Sequence, residues 1–335
     1  MRRSPSEWVG PVALTACVLG AAVAEARAQD LPTGDPVNGA AGSEGAEFLL
    51  IPMGPRAVAM GRAVTATRGD VESTLWNPAG IAGLGGTRFA VTHEVTAFNQ
   101  NNVLSVAVPF SFGTLGLTYF LVDFGETERR DEQNQLLGTV TARNQEVILT
   151  YARRVLGSIE AGVSYKLVQL LCDGPCSSGG HLSATTHAAD VGLILHRPVN
   201  LPVSAGVTIL HAGLPLRVGD AGEGDPLPTR VRAGISYDAL TTFVRDTTAG
   251  LRLEADVEED WDALGSPNLF LGAEANYQHW FYVRAGYAWG DSGTHGGALG
   301  LGVAHERFYV NLSRRLDAAS ELGGDPLQIT LGLAF

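Results

Sequence analysis

From about residue 87 to residue 335 the chain repeats a pattern that few folds accept: large apolar side chains at alternate positions, with small or polar ones between. In Leu327-Gln328-Ile329-Thr330-Leu331-Gly332-Leu333-Ala334-Phe335 every odd position is large and apolar, the period of a strand with two unlike faces. The pattern recurs in Phe308 to Ser313 and in Leu269, Leu271, Ala273, Ala275 and Tyr277, which flank Gly272, Glu274 and Asn276. Val231, Ala233, Ile235 and Tyr237 likewise alternate with Arg230, Arg232, Gly234 and Ser236. After residue 28 no apolar run approaches 20 residues, so no transmembrane helix is expected.

Such segments number about fourteen, with starts near Arg88, Asn102, Thr114, Arg143, Ser158, Thr186, Pro202, Thr229, Thr247, Pro267, His279, Gly296, Arg307 and Pro326. Each has roughly the 9 to 12 residues that a tilted strand needs to cross a bilayer, and an even number suits a closed bacterial barrel. The connections after odd strands read as mostly long, at 123–142, 171–185, 213–228, 258–266 and 316–325; those after even strands read as mostly tight. Long loops on one side and short turns on the other are the habit of outer-membrane barrels. A soluble sandwich also alternates, but it packs its inside with bulky apolar residues rather than glycine and charge.

Composition agrees. Forty-two glycines, 45% hydrophobic residues and only 17% charged residues describe a strand-rich and turn-rich chain. The net charge of -12 argues against nucleic-acid binding, because no surplus of cations can displace phosphate counterions. Lys166 is the only lysine.

Residues 1–28 read as a secretory signal peptide: Arg2 and Arg3, a mostly apolar run from Val9 to Ala24, then Ala26-Arg27-Ala28 as a small-x-small cleavage site. Leu14-Thr15-Ala16-Cys17 resembles a lipobox, but the residues after Cys17 stay apolar where a lipoprotein turns polar. Residues 29–46 are rich in Gly, Pro, Asp and Ala and read as a flexible tether.

Residues 47–84 are set apart as a short N-terminal helical hatch, and 85–335 as the barrel. The stretch from Met53 to Leu84 does not read as strands. Ala57, Ala59, Gly61, Ala63 and Ala66 would let a helix lie close against other backbone. Asp70 is a fair N-cap for a helix through Val71 to Trp76, which Asn77-Pro78 ends, and Pro78 can open one more turn. A Gly/Ala-rich helix, an acidic residue and Asn-Pro-Ala-Gly-aliphatic-Ala before the first strand resemble the hatch of FadL-like outer-membrane barrels. Gly54-Pro55-Arg56-Ala57 and Ala59-Met60-Gly61, followed by Trp76-Asn77-Pro78-Ala79-Gly80, resemble most closely the PorV/PorQ form of that hatch. A soluble domain carrying a helical hairpin is the alternative. The resemblance implies an all-β transmembrane antiparallel barrel of about 14 strands, with hatch residues Arg56, Gly61, Asp70, Asn77, Pro78, Ala79 and Gly80.

The inward positions of that barrel carry Glu160, Lys166, Asp190, Arg230, Arg232, Arg252, Glu254, Asp256, Glu274 and Arg284. An Arg or Lys on the lipid side would cost roughly 2 to 4 kcal/mol at the midplane, so their even-face placement fits a polar lumen that pairs charges and holds the hatch. A gating or substrate-guiding role for these charges is the other reading. Aromatic residues Tyr277, Trp280, Phe281, Tyr287 and Trp289 fall where strands would meet headgroups. Terminal Phe335 resembles the signal by which the barrel-assembly machinery recognises its clients.

In an oxidising compartment Cys172 and Cys176 are expected to form a disulfide. His181 and His187 lie near enough to raise a Cys2His2 zinc site, but the gap between the pairs is too short for a finger. Glu258-Glu259-Asp260 with Asp262 reads as a solvated loop before a calcium site. No metal and no cofactor are expected. Catalytic signatures are lacking: there is no Gly-x-Ser-x-Gly elbow and no His-Glu-x-x-His. A wall-bound lipase would need one of His93, His196, His211 or His305 beside a serine. FadL-like barrels resemble conduits for hydrophobic compounds, whereas PorV-like ones resemble non-enzymatic partners of type IX secretion that receive cargo proteins. The expected setting is the outer membrane and its lipid, with hydrophobic small molecules or secreted cargo proteins as partners.

Overall fold

Alternation along the chain becomes alternation between two faces of one sheet. The computed structural model describes residues 44–177, 180–198, 201–218, 224–240, 248–290, 295–317 and 326–335. The expected signal peptide and most of the expected tether lie outside these residues, as do 178–179, 199–200, 219–223 and 318–325 of the expected connections.

Fourteen antiparallel strands follow one another: β1 Arg88–Val95, β2 Gln100–Phe110, β3 Gly113–Arg130, β4 Leu136–Leu156, β5 Ile159–Ser177, β6 Gly180–His196 and β7 Val203–Gly213. β8 Arg230–Asp238, β9 Ala249–Asp260, β10 Asn268–Tyr277, β11 Phe281–Trp289, β12 Gly296–His305, β13 Phe308–Asp317 and β14 Leu327–Ala334 complete them. Each strand pairs with its sequence neighbours, and β1 pairs with β14 from Arg88↔Ala334 to Val95↔Leu327. The sheet is therefore a closed barrel without a free edge, and every ladder bond is made within the protein. No described helix is long and apolar enough to cross a membrane.

The odd-position residues Leu115, Leu117, Leu149, Val163, Val191, Val207, Ile235, Leu271, Leu299 and Leu331 are exposed on the outside. Their even-position neighbours Thr118, Thr150, Ser164, Thr208, Arg232, Glu254, Glu274 and Thr330 are buried inside. Tyr277, Trp280, Phe281, Tyr287 and Trp289 are all exposed on the outer wall. This inverted arrangement suits a barrel whose solvent outside is hydrocarbon.

Strand lengths depart from expectation on one side of the barrel. β3 to β6 run to 18, 21, 19 and 17 residues, whereas no other strand exceeds 12. Residues 123–130, 136–142, 171–177 and 180–185 are thus strand and not loop. Polar residues there suggested coil, but a strand rising clear of a membrane needs no apolar face, and the ladder continues past the bilayer-length core. Pairing runs on through Glu126↔Thr141 and Cys172↔Leu182, and β3 and β4 are joined only by 131–135. The described parts of two further long connections, 214–218 with 224–229 and 261–267, lie at this same end, the long-loop end. Tight links at 111–112, 157–158 and 306–307 lie at the other, the short-turn end.

The hatch stretch folds inside. Its pieces are a 3-10 turn at Glu47–Leu50, helix α1 at Pro55–Ala59, and 3-10 turns at Val71–Leu75 and Pro78–Gly83. α1 is only five residues long because Gly61 and Arg62 adopt positive φ, 62° and 71°, which takes the chain out of helix. Asp70 Oδ1 accepts from the Glu72 amide at 3.0 Å and Asn77 Oδ1 from the Ala79 amide at 3.1 Å, so each residue caps the turn after it.

Candidate functional site: hatch, lumen and the cavity above

The hatch backbone rests directly on glycines of the wall. Gly162 faces Gly192 across β5 and β6, Gly206 faces Gly234 across β7 and β8, and Gly272 faces Gly286 across β10 and β11. A Cβ at Gly162 would come closer than 3.0 Å to the backbone of Pro78 and Ala79, one at Gly206 to Thr65, and one at Gly286 to Met60 and Gly61. Glycine is needed here because main chain lies against main chain. Gly80 is equally confined, against Ser73 and the carbonyl of Thr67.

Charges then fix the hatch laterally. Arg56 Nε donates to Glu274 Oε2 at 2.9 Å, and its other nitrogens reach Thr67 Oγ1 at 3.2 Å, Asp70 at 3.6 Å and Glu254 at 3.7 Å. Arg284 donates to the same Glu274 at 2.7 Å, and Arg252 stands 3.9 Å from it. Asp256 Oδ2 accepts from the amides of Val64 and Thr65, at 2.9 and 2.8 Å, and from the Thr65 hydroxyl at 2.6 Å. Arg232 donates to the carbonyl of Arg62 at 2.7 Å and lies over the rings of Trp76 and Phe270. Arg68 pairs with Glu160 through Nε at 2.9 Å. Asn77 Nδ2 bonds the carbonyl of Thr65 at 2.7 Å and reaches that of Leu193 in the wall at 3.4 Å. All seven hatch residues and all the inward charges singled out in the sequence thus gather in the lumen; Arg230 and the Lys166–Asp190 pair sit higher.

Several working residues were not singled out. Glu146 joins Lys166, whose Nζ stands 3.2 Å from Glu146 and 2.9 Å from Asp190; His211, weighed above only as a lipase histidine, brings its Nδ1 to 3.0 Å from the same Nζ. Glu146 has the even-face phase of Ile148 and Thr150, so alternation would have found it. Glu72 accepts from Thr330 Oγ1 at 2.9 Å, and Gln328 Nε2 donates to the carbonyl of Pro52 at 2.7 Å. Those contacts exist only once β14 closes onto β1.

Burial governs the hatch carboxyl Glu72. Desolvation, with Asp70 nearby, pushes it up to about 8, and its Oε2 has no hydrogen-bond partner among the described residues. Just before the hatch, Glu44 is held below the ordinary carboxylate range by Arg230, which donates to both of its oxygens at 2.7 Å.

Above the hatch, toward the long-loop end, lies a cavity of about 730 Å³. Its lining is mixed: Leu49, Leu50, Ile51, Leu75, Trp76, Phe120 and Leu210 are apolar, and Glu44, Glu47, Glu146, Lys166, His211, Arg230, Arg232, Glu258 and Asp260 are polar or charged. Leu49 and Phe120 belong to a buried apolar cluster with Phe48, Met53, Val103, Val122, Val168 and Leu216.

The remaining chemistry is spent locally. Cys172 and Cys176 are joined, with Cα atoms 6.1 Å apart, across an irregularity in β5. Neither sulfur is left as a thiolate, and His181 and His187 bond Asp173 and Tyr165, at 2.7 and 2.6 Å. Glu258 and Asp260 pair with Arg232 and Arg230, and Glu259 accepts from the Gly265 amide at 3.0 Å. His93 bonds Asn102 at 2.8 Å, and His305 packs edge-on to Trp280. His196 does meet a serine, Ser204, at 2.9 Å. No described carboxylate bonds that imidazole, so the pair lacks the third member that orients a triad. Phe335 is exposed, and its amide donates to the carbonyl of Thr87 at 2.9 Å.

No family model matches the chain, and a search of curated proteins finds no match. Solved structures do share its fold. The chain is similar to the toluene transporter TodX of P. putida, with TM-score 0.59 and 10% identity over 84% of this chain and 98% of that one. The Ralstonia pickettii toluene transporter TbuX gives 0.56 and 13% over 86% and 98%. The CymD monoaromatic hydrocarbon channel gives 0.55 and 13% over 85% and 98%. At these identities the likeness is one of fold alone.

Proposed function

We propose that this barrel is a conduit for hydrophobic compounds across the outer membrane, closed by its own hatch, with no enzymatic role. The observation that carries the reading is the 730 Å³ cavity in the lumen, lined in part by the hatch residues Leu49, Leu50, Ile51, Pro52, Leu75 and Trp76. A compound entering from the long-loop end meets Leu49, Ile51, Trp76 and Phe120, and passes onward when the contacts of Arg56 and Asp256 give way. The fold shared with proteins named as toluene transporters and a monoaromatic hydrocarbon channel supports the same reading.

Pull-down of the native protein from its own membranes tests it. Bound lipid-like or aromatic compounds without protein partners are the expected result. Co-purifying secreted proteins would instead favour the PorV-like role, in which the barrel receives cargo for type IX secretion. Lipid hydrolysis by the pure barrel, abolished by His196→Ala, would overturn both.

A further inference from the structure

The short-turn end of the lumen holds a second cavity, of about 310 Å³, that the conduit reading leaves unused. Six arginines line it, Arg56, Arg68, Arg88, Arg252, Arg284 and Arg307, against three carboxylates, Asp70, Glu274 and Glu306. The compensation is also uneven. Arg56 and Arg284 converge on Glu274, at 2.9 and 2.7 Å, with Arg56 also 3.6 Å from Asp70 and 3.7 Å from Glu254; Arg252 stands 3.9 Å from Glu274 and pairs with Asp238 at 3.1 Å. Arg68 turns to Glu160. Arg88, at the start of β1, and Arg307, in the turn from β12 to β13, form no ion pair among the described residues; the Arg307 guanidinium lies 5.8 Å from the ring centre of Phe335.

A cleft with a surplus of guanidinium groups and low-dielectric walls concentrates anions, and the guanidinium fork matches the oxygens of phosphate. We propose that this cavity binds a phosphate group, with Arg88 and Arg307 as its primary donors. The volume exceeds what a bare phosphate fills, and two exposed rings adjoin it, Phe308 in the lining and Phe335 against Arg307, so a phospholipid head group and a free phosphate are the two sources. Arg56 and Arg68 belong to the hatch and the other four arginines to the barrel side of the cavity. A phosphate held among them favours the closed hatch, because a ligand that binds one state better stabilises that state.

The test uses the full folded barrel in a sugar detergent at constant ionic strength. Inorganic phosphate, a short-chain phosphatidylglycerol and chloride are titrated in turn, with calorimetry and amide exchange of residues 55–84 as readouts. We expect saturable binding of phosphate or of the lipid, slower exchange in the hatch, and at least about a ten-fold weakening in Arg88→Gln/Arg307→Gln. Arg153→Gln, exposed on β4, should bind as the parent does. Response to free phosphate assigns the site to a soluble anion, and response to the lipid alone assigns it to a head group. Binding that chloride reproduces, that the double variant retains, or that neither phosphate source shows, overturns the proposal. Heat-modifiable migration verifies that each variant is folded, and Arg307→Gln alone, in an exposed turn, serves if the double variant does not fold.

Discussion

Arg56 Nε and Glu274 Oε2 stand 2.9 Å apart and join a five-residue helix to the barrel wall across 218 positions of sequence. Both side chains are buried, so the pair is a fastening rather than a surface contact. Removing one member of a buried ion pair costs about 3–5 kcal/mol, mostly through the charge left behind. Arg56→Ala should therefore release the hatch while the barrel stays closed, speeding amide exchange in residues 55–84 and admitting small apolar dyes. Arg56→Lys should recover part of the loss.

The glycine seat gives a steric test with its own control. At Gly286 an added Cβ would fall on the backbone of Met60 and Gly61, whereas at Gly297 the nearest atoms would stand 3.9 Å away. Gly286→Ala should displace the hatch by an overpacking cost of about 1–3 kcal/mol, and Gly297→Ala should be nearly silent. Thermal unfolding together with dye leakage distinguishes the two.

Glu72 makes hatch closure sensitive to pH. Its folded value is raised to about 8 from an ordinary 4.5, so the closed hatch prefers the protonated carboxyl. The stabilisation is full below pH 4.5 and falls by about 1.4 kcal/mol per pH unit until it is lost near pH 8. Hydrogen exchange in the hatch should quicken as pH rises through this window, and Glu72→Gln should flatten the profile. An unchanged profile in that variant would remove Glu72 as the cause.

The Cys172–Cys176 bond closes a short irregularity in β5 near the long-loop end. Thiol labelling of the unreduced, denatured protein should find neither cysteine free. Replacing both by serine should loosen the upper parts of β5 and β6 and leave heat-modifiable migration intact, since the closing strands β1 and β14 are not involved.

Strand number, the two unlike faces and the positions of the inward charges were legible in the sequence because each is a local property: period two places a side chain on one face whatever its partner. Asp70 was legible as a cap for the same reason, since a cap acts within three residues, whereas Asn77 read only as the end of the turn before it. The reach of β3 to β6 was not legible, because above the bilayer neither face must be apolar and the periodic signal fades where the ladder continues. Nor could periodicity show that Glu274 would gather Arg56, Arg252 and Arg284, that Glu72 would lie against Thr330, or that Arg88 and Arg307 would share a cavity. These groupings join residues far apart in the chain, and only closing β1 onto β14 around the hatch brings them within hydrogen-bond or Coulomb range.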